Sequence, residues 1–129
     1  MASKYTGFYA ALLGLLFVFL SMRVITLRMK LKVSVGDGGH ELLTRAIRIH
    51  GNFAEYVPFA LLLMLLNELA GASMWLIHAL GVSLIAARIL HIKGIATAES
   101  PMAPRKAGMM LTFAVVITGS LSLLFRSIW

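Results

Sequence analysis

Arg45, Arg48, Asn52, Glu55 and Tyr56 lie close together in the sequence and carry most of the chemistry this chain offers a ligand. At about 100° per residue, Arg45, Arg48, Asn52, Glu55 and Phe59 fall within roughly a quarter of a helix circumference, and Tyr56 borders that arc. His50 falls on nearly the opposite side and faces another helix. Guanidinium forks bind carboxylates in two-point geometry, while a lone carboxylate among them accepts from an ammonium. Arg45, Arg48 and Arg88, with Arg23 and Arg28 on the first helix, surround Glu55 as the one well-placed acid. A peptide with two carboxylates and one amine fits that set. The bland alternative is that Arg48 and Glu55 pair with each other or with Arg88, holding helices together and binding nothing.

Arg88 and His91 are three positions apart and share a helix face. His91 and His78 read as packing or interfacial groups. The histidines form no close pair at ligand spacing, and neither H-E-x-x-H nor a carboxylate dyad occurs, so no metal is expected. The chain has no cysteine, which excludes disulfides, iron–sulfur clusters and a thiol nucleophile of its own. Any thiol chemistry has to come from a substrate.

The elements that hold these residues follow from the composition. Of 129 residues, 60% are hydrophobic and 13% charged, and the mean hydropathy is +0.89. Such a chain takes the bilayer as its solvent. Crossing about 30 Å of hydrocarbon needs roughly 20 apolar residues, so the chain reads as a single transmembrane domain, 1–129, of four helices at about 5–31, 40–67, 73–95 and 105–127. Its class is all-α, a four-helix antiparallel membrane bundle. The first apolar run resembles a signal peptide but is too long and lacks an A-x-A site. Gly-Asp-Gly-Gly at 36–39 forms the clear loop, and Pro101 and Pro104 mark the loop before the fourth helix. The uninterrupted apolar part of the second helix, Val57 to Leu66, is ten residues, so Arg48 to Tyr56 must lie within the span. Ionisable groups there cost about 2.5 to 3.5 kcal/mol each on insertion scales, and Arg48 and Glu55 are therefore expected to point into the bundle. Pro58 frees the carbonyl of Ala54 a turn from the polar arc, and a kink there would open a cavity.

The net charge is +7, and all of the twelve Lys and Arg except Lys4 and Arg126 lie toward the 1–2 and 3–4 connections. By the positive-inside rule these loops are cytoplasmic, with both termini and the 2–3 turn on the opposite side. A basic band at a membrane surface is an ordinary topological signal, so no nucleic-acid partner is expected. The eight Met and the aromatics read as packing or lipid-facing groups, with Trp75 and Trp129 as interfacial anchors. A chain this short gains packing surface from copies of itself, so a homo-oligomer is the default.

Arg48-x3-Asn52-x2-Glu55-Tyr56-x-Pro58 on a second transmembrane helix resembles the MAPEG family, membrane-associated proteins in eicosanoid and glutathione metabolism. The leukotriene-C synthase branch has this Arg, Asn, Glu-Tyr and Pro arrangement. The prostaglandin E synthase branch has an Arg-x-His-x-Asn-x2-Glu version, matched by Arg48, His50, Asn52 and Glu55. Val24-Ile25 with Arg28, then Lys32-Val33-Ser34, look like the end of the family's first helix, and Arg88-x2-His91 looks like its third. The resemblance spans the whole chain. It implies a homotrimer of four-helix protomers, with the co-substrate glutathione bound between subunits near the cytosolic face. Arg28, Arg48, Asn52, Glu55 and Tyr56 resemble glutathione contacts, joined by Arg88 with His91 beside it. Arg105, with Lys106 next to it, is the nearest match to the arginine that stabilises the glutathione thiolate, and so the implied catalytic residue. The eicosanoid synthases carry tyrosines on the third and fourth helices, whereas Tyr5, Tyr9 and Tyr56 are the only ones here, which points away from eicosanoid chemistry. Met29 stands where the leukotriene branch has a second consecutive arginine, and Gly51 replaces an arginine of the prostaglandin branch.

The function expected is a glutathione-dependent membrane transferase or peroxidase acting on a lipophilic electrophile, with membrane lipid as its surroundings. A non-catalytic glutathione or lipid binder is the first alternative. A small multidrug-type transporter is the distant one, because that class uses an acid in its first helix, and here that helix has none while carrying Arg23 and Arg28.

Overall fold

The computed structural model describes residues 3–128, so the expected anchor Trp129 lies outside the described residues. Four helices follow one another: α1 (Lys4–Leu31), α2 (Glu41–Leu69), α3 (Met74–Lys93) and α4 (Met102–Ile128). All four are long and apolar enough to cross a membrane.

Local chemistry sets the ends. Lys32 takes the left-handed conformation at φ 55° and closes α1, with its N–H and that of Val33 returning to carbonyls of the last turn. Gly36, Gly38 and Gly39 all have positive φ in the connection that follows, which is why a glycine-rich tetrad sits there. Ser73 caps α3 by accepting from the Leu76 N–H. The fourth helix begins earlier than the expected 105. Pro104 lies inside its first turn rather than in the preceding loop, because a first-turn residue has no intrahelical partner for the N–H that proline lacks.

α2 and α3 are central. α1 packs on both, α4 packs on both, and α1 and α4 do not touch. The two ends of this up-and-down bundle are tied differently. At the end holding the N-terminus, the Glu68 carboxylate of α2 accepts from the Tyr5 and Thr6 backbone N–H groups at 2.9 and 2.7 Å, satisfying the open first turn of α1. Nearby the Tyr9 hydroxyl meets His78 Nδ1 at 2.8 Å, so His78 packs α3 on α1. At the other, basic end, Arg45 donates to the Ile95 carbonyl, joining the start of α2 to the 3–4 connection.

Association of helices in lipid depends on close packing and buried polar contacts rather than on apolar burial. The buried residues of α4 are Gly108, Thr112, Val115 and Gly119, a narrow stripe of small side chains. A Cβ at Gly108 would stand 2.6 Å from the Ala87 carbonyl oxygen, so α3 and α4 touch backbone to backbone there. Asn67, fully buried, bridges α2 and α4 by donating to the carbonyls of Leu63 and Gly119 at 2.8 Å each. His50 behaves as its helical position foretells. It faces α1, meeting Ser21 Oγ at 2.9 Å and stacking on Phe17. α2 continues through Pro58, and with Phe17, Phe53 and Ala54 that proline lines an apolar cavity of about 230 Å³ between α1 and α2.

Candidate functional site

α2 packs into its own chain through Leu43, Ala46, Ile49, Phe53, Val57 and Ala60. That leaves another face uncovered. Arg48 and Glu55 are each 54% exposed at the side chain, with Arg48 Nη1 3.8 Å from Glu55 Oε1. The expectation that both point into the bundle is therefore corrected: within one chain they point away from it. The reason is rotational, because the apolar row from Leu43 to Ala60 occupies the inward side and the arginine row must turn outward. The same outward row continues with Phe59, Leu62, Leu66 and Leu69, all exposed.

At the basic end, Arg45, Arg48 and Arg105 line one cavity of about 450 Å³ together with Asp37, Gly39, Glu41, Thr44 and Ile95. Gly94 lies directly against the Arg105 backbone, leaving no room for a Cβ, and so fixes the start of α4 beside the end of α3. Glu55 is thus not the one acid near the arginines. Glu41 holds Arg45 with 2.7 and 3.1 Å hydrogen bonds, an i,i+4 pair legible in the sequence. Asp37 accepts from the Gly39 N–H and the Thr44 hydroxyl, which hold its carboxyl below the usual carboxylate range. Asp37 shapes the 1–2 connection, and Glu41 neutralises Arg45. Arg48 and Arg105 have no such full partner among the described residues, apart from the long contact from Arg48 to Glu55.

Behind this face lies a buried cation. Arg88 is 1% exposed; its Nη1 donates to Asn52 Oδ1 at 2.7 Å and its Nη2 to Thr112 Oγ1 at 2.8 Å, while Nε has no partner. Thr112 in turn donates to the Gly108 carbonyl. No carboxylate pairs with Arg88 among the described residues. The polar neighbours lower the desolvation cost of that charge without cancelling the charge itself.

The structure thus forms two pairs on neighbouring positions of α2, Arg48 with Glu55 and Asn52 with Arg88, and sets Arg105 beside Arg48. His91 is buried, on the face of α3 that meets Gly108. Tyr56 turns toward α4, its ring edge-on to Phe113 at 5.7 Å. Arg28 stands apart: it donates to the Gly36 carbonyl at 2.7 Å and lines a separate cavity with Met29, Lys32, Val33 and Ser34. Thr112 was missed. A threonine four residues after a glycine in an apolar helix is its only signal in the sequence.

A four-span helical bundle with an arginine-rich polar face on its second helix defines a class of small multi-pass membrane protein. The MAPEG family model matches residues 6–125, and the chain belongs to that family. It is similar to inner membrane protein YecN of Escherichia coli strain K12, with 39% identity over 124 residues covering 96% of this chain and 93% of the relative. YecN of the O6:H1 strain gives the same figures. No solved structure matches the chain significantly.

Proposed function

We propose that this chain is a glutathione-dependent membrane transferase or peroxidase whose glutathione site lies between subunits of a homotrimer, at the cytosolic end of the bundle. The observation that carries this reading is the convergence of Arg45, Arg48 and Arg105 on one cavity, next to a half-buried Asn52 and an exposed Glu55 and in front of the unpaired cation of Arg88. Membership of the family supports glutathione as the ligand. Glutathione brings two carboxylates, one ammonium and a thiol. Arg48 binds a carboxylate as a two-point fork, and Glu55 accepts from the ammonium. Arg28 is off this cavity in its own chain; in the proposed trimer it serves the site of a neighbouring subunit.

Arg105 acts on the sulfur. A free thiol has a pKa of about 8.5, and a guanidinium beside it favours the thiolate, each unit of lowering corresponding to about 1.4 kcal/mol. The thiolate then attacks a lipophilic electrophile arriving from the bilayer. With a chloronitrobenzene, a C–S bond forms, C–Cl breaks and chloride leaves. With a lipid hydroperoxide, the O–O bond breaks to give the alcohol, and a second glutathione releases the disulfide and water.

Purified protein is expected to consume glutathione with one of these electrophiles, and Arg105→Ala to lower turnover while glutathione still binds. Tight binding without turnover in wild type would refute the enzyme and leave the non-catalytic binder. Tyr5 and Tyr9 lie by His78 at the far end of the bundle, which leaves Tyr56 as the tyrosine nearest the site.

A further inference from the structure

Arginine donates hydrogen bonds from every nitrogen and accepts none. The atom of Asn52 that meets Arg88 Nη1 at 2.7 Å must therefore be the carbonyl oxygen. That assignment is chemical, because the amide nitrogen facing a guanidinium would set donor against donor. The direction of the network agrees. Thr112 gives its proton to the Gly108 carbonyl at 2.8 Å, which leaves its oxygen lone pairs for Arg88 Nη2. Arg88 is thus clamped from α4 on one side and occupies the Asn52 oxygen on the other. Burial at 1% exposure prevents water from taking its place.

The Asn52 amide nitrogen, with two N–H groups, is then turned away from Arg88, and it makes no hydrogen bond to the described residues. It lies on the α2 arc between Arg48 and Glu55, four residues after one and three before the other. We infer that Arg88 is a positioning residue: by holding the Asn52 carbonyl it commits the Asn52 amide to donate, so the site face requires a hydrogen-bond acceptor, a carboxylate or peptide carbonyl oxygen, between the groups bound by Arg48 and Glu55. Arg88 itself touches no ligand. This departs from the family resemblance, which makes Arg88 a ligand contact, and it rests on the glutathione reading only for the identity of the acceptor. Its charge, with no acid paired to it among the described residues, also polarises the amide toward donation.

The test uses the whole protein in detergent. Asn52→Asp keeps an acceptor for Arg88, now as an ion pair, but turns a second carboxylate oxygen outward where the amide had donated. Its thermal unfolding should be unchanged or raised, and its glutathione binding about ten- to a hundredfold weaker. Arg88→Gln, which can donate or accept, releases the orientation and should weaken binding, while Arg88→Lys, still a donor, should lose less. The 15N-labelled Asn52 side-chain amide resonance, identified by its absence in Asn52→Asp, should shift in both Arg88 variants without any ligand. Asn52→Asp binding glutathione as wild type does, or an Asn52 amide unmoved in Arg88→Lys and Arg88→Gln, would overturn the inference. A shifted amide together with no glutathione binding by wild type would uphold the positioning role and overturn the functional reading alone.

Discussion

The ion pair of Arg48 with Glu55 is the residue-scale key to the site. At 3.8 Å, with both side chains about half exposed, it is a loose contact of a kind that contributes about 0 to 1 kcal/mol in water. Either partner can therefore be drawn off by a stronger one. The row Arg48, Asn52, Glu55 was legible because helical spacing alone collects those residues on one arc. The direction of that arc was not legible. Burial cost argued for an inward turn, whereas the apolar residues Ile49, Phe53 and Val57 claimed the inward side. The Thr112 contact of Arg88 depends on the register of α3 against α4, which no local pattern encodes. Arg105 should show itself as a titration shift. The bound glutathione thiol, followed by thiolate absorbance against pH, should have its pKa raised by about one unit or more in Arg105→Ala, and an unchanged midpoint would remove Arg105 from that role.

At the scale of elements, the close approach of α3 and α4 sets the geometry of everything behind the site. Gly108→Ala would drive a Cβ to 2.6 Å from the Ala87 carbonyl oxygen and 2.7 Å from the His91 backbone nitrogen. The helices must separate, at a cost of about 1 to 3 kcal/mol, and Arg88 loses its clamp from Thr112. A lowered unfolding midpoint in detergent together with weakened glutathione binding is expected; a midpoint equal to wild type would show that α3 and α4 are not in backbone contact. The 1–2 connection offers a pH test. The carboxyl of Asp37 is held low by the Gly39 N–H and then by the Thr44 hydroxyl. Its contribution to the folded loop is complete above the unfolded pKa and is lost as pH falls through the lower folded pKa. A carboxyl 13C titration of Asp37 should have its midpoint below that of an ordinary aspartate, and a midpoint at or above it would contradict the clasp. Four helices and their order were readable from apolar run length, and the glycine tetrad from its composition. The Pro104 boundary is not legible from composition, because a proline marks a break within a helix but a start within a first turn.

The whole molecule leaves its second helix unfinished. Phe59, Leu62, Leu66 and Leu69 stand exposed along the continuation of the polar row, so one face of a central helix is covered by nothing from its own chain. Apolar exposure in lipid is ordinary, but half-exposed Arg48 and Glu55 on the same face are not. A neighbouring copy laid along this face would cover the charges and the leucines together, which is the physical case for the trimer. Leu62→Arg is expected to disperse the oligomer, read by native mass measurement in detergent, while the helical content stays; an intact oligomer would move the interface elsewhere. Chain length alone suggests an oligomer, whereas the proposed order of three rests on family resemblance, since a single chain does not state its partner. Whether the polar face of α2 holds glutathione is tested most directly by calorimetric titration of glutathione into wild type, Arg48→Ala and Glu55→Gln. Saturable binding by wild type is expected, weakened about tenfold or more in each variant while their thermal unfolding changes little. Absence of binding in wild type, or binding that survives both substitutions, would contradict it.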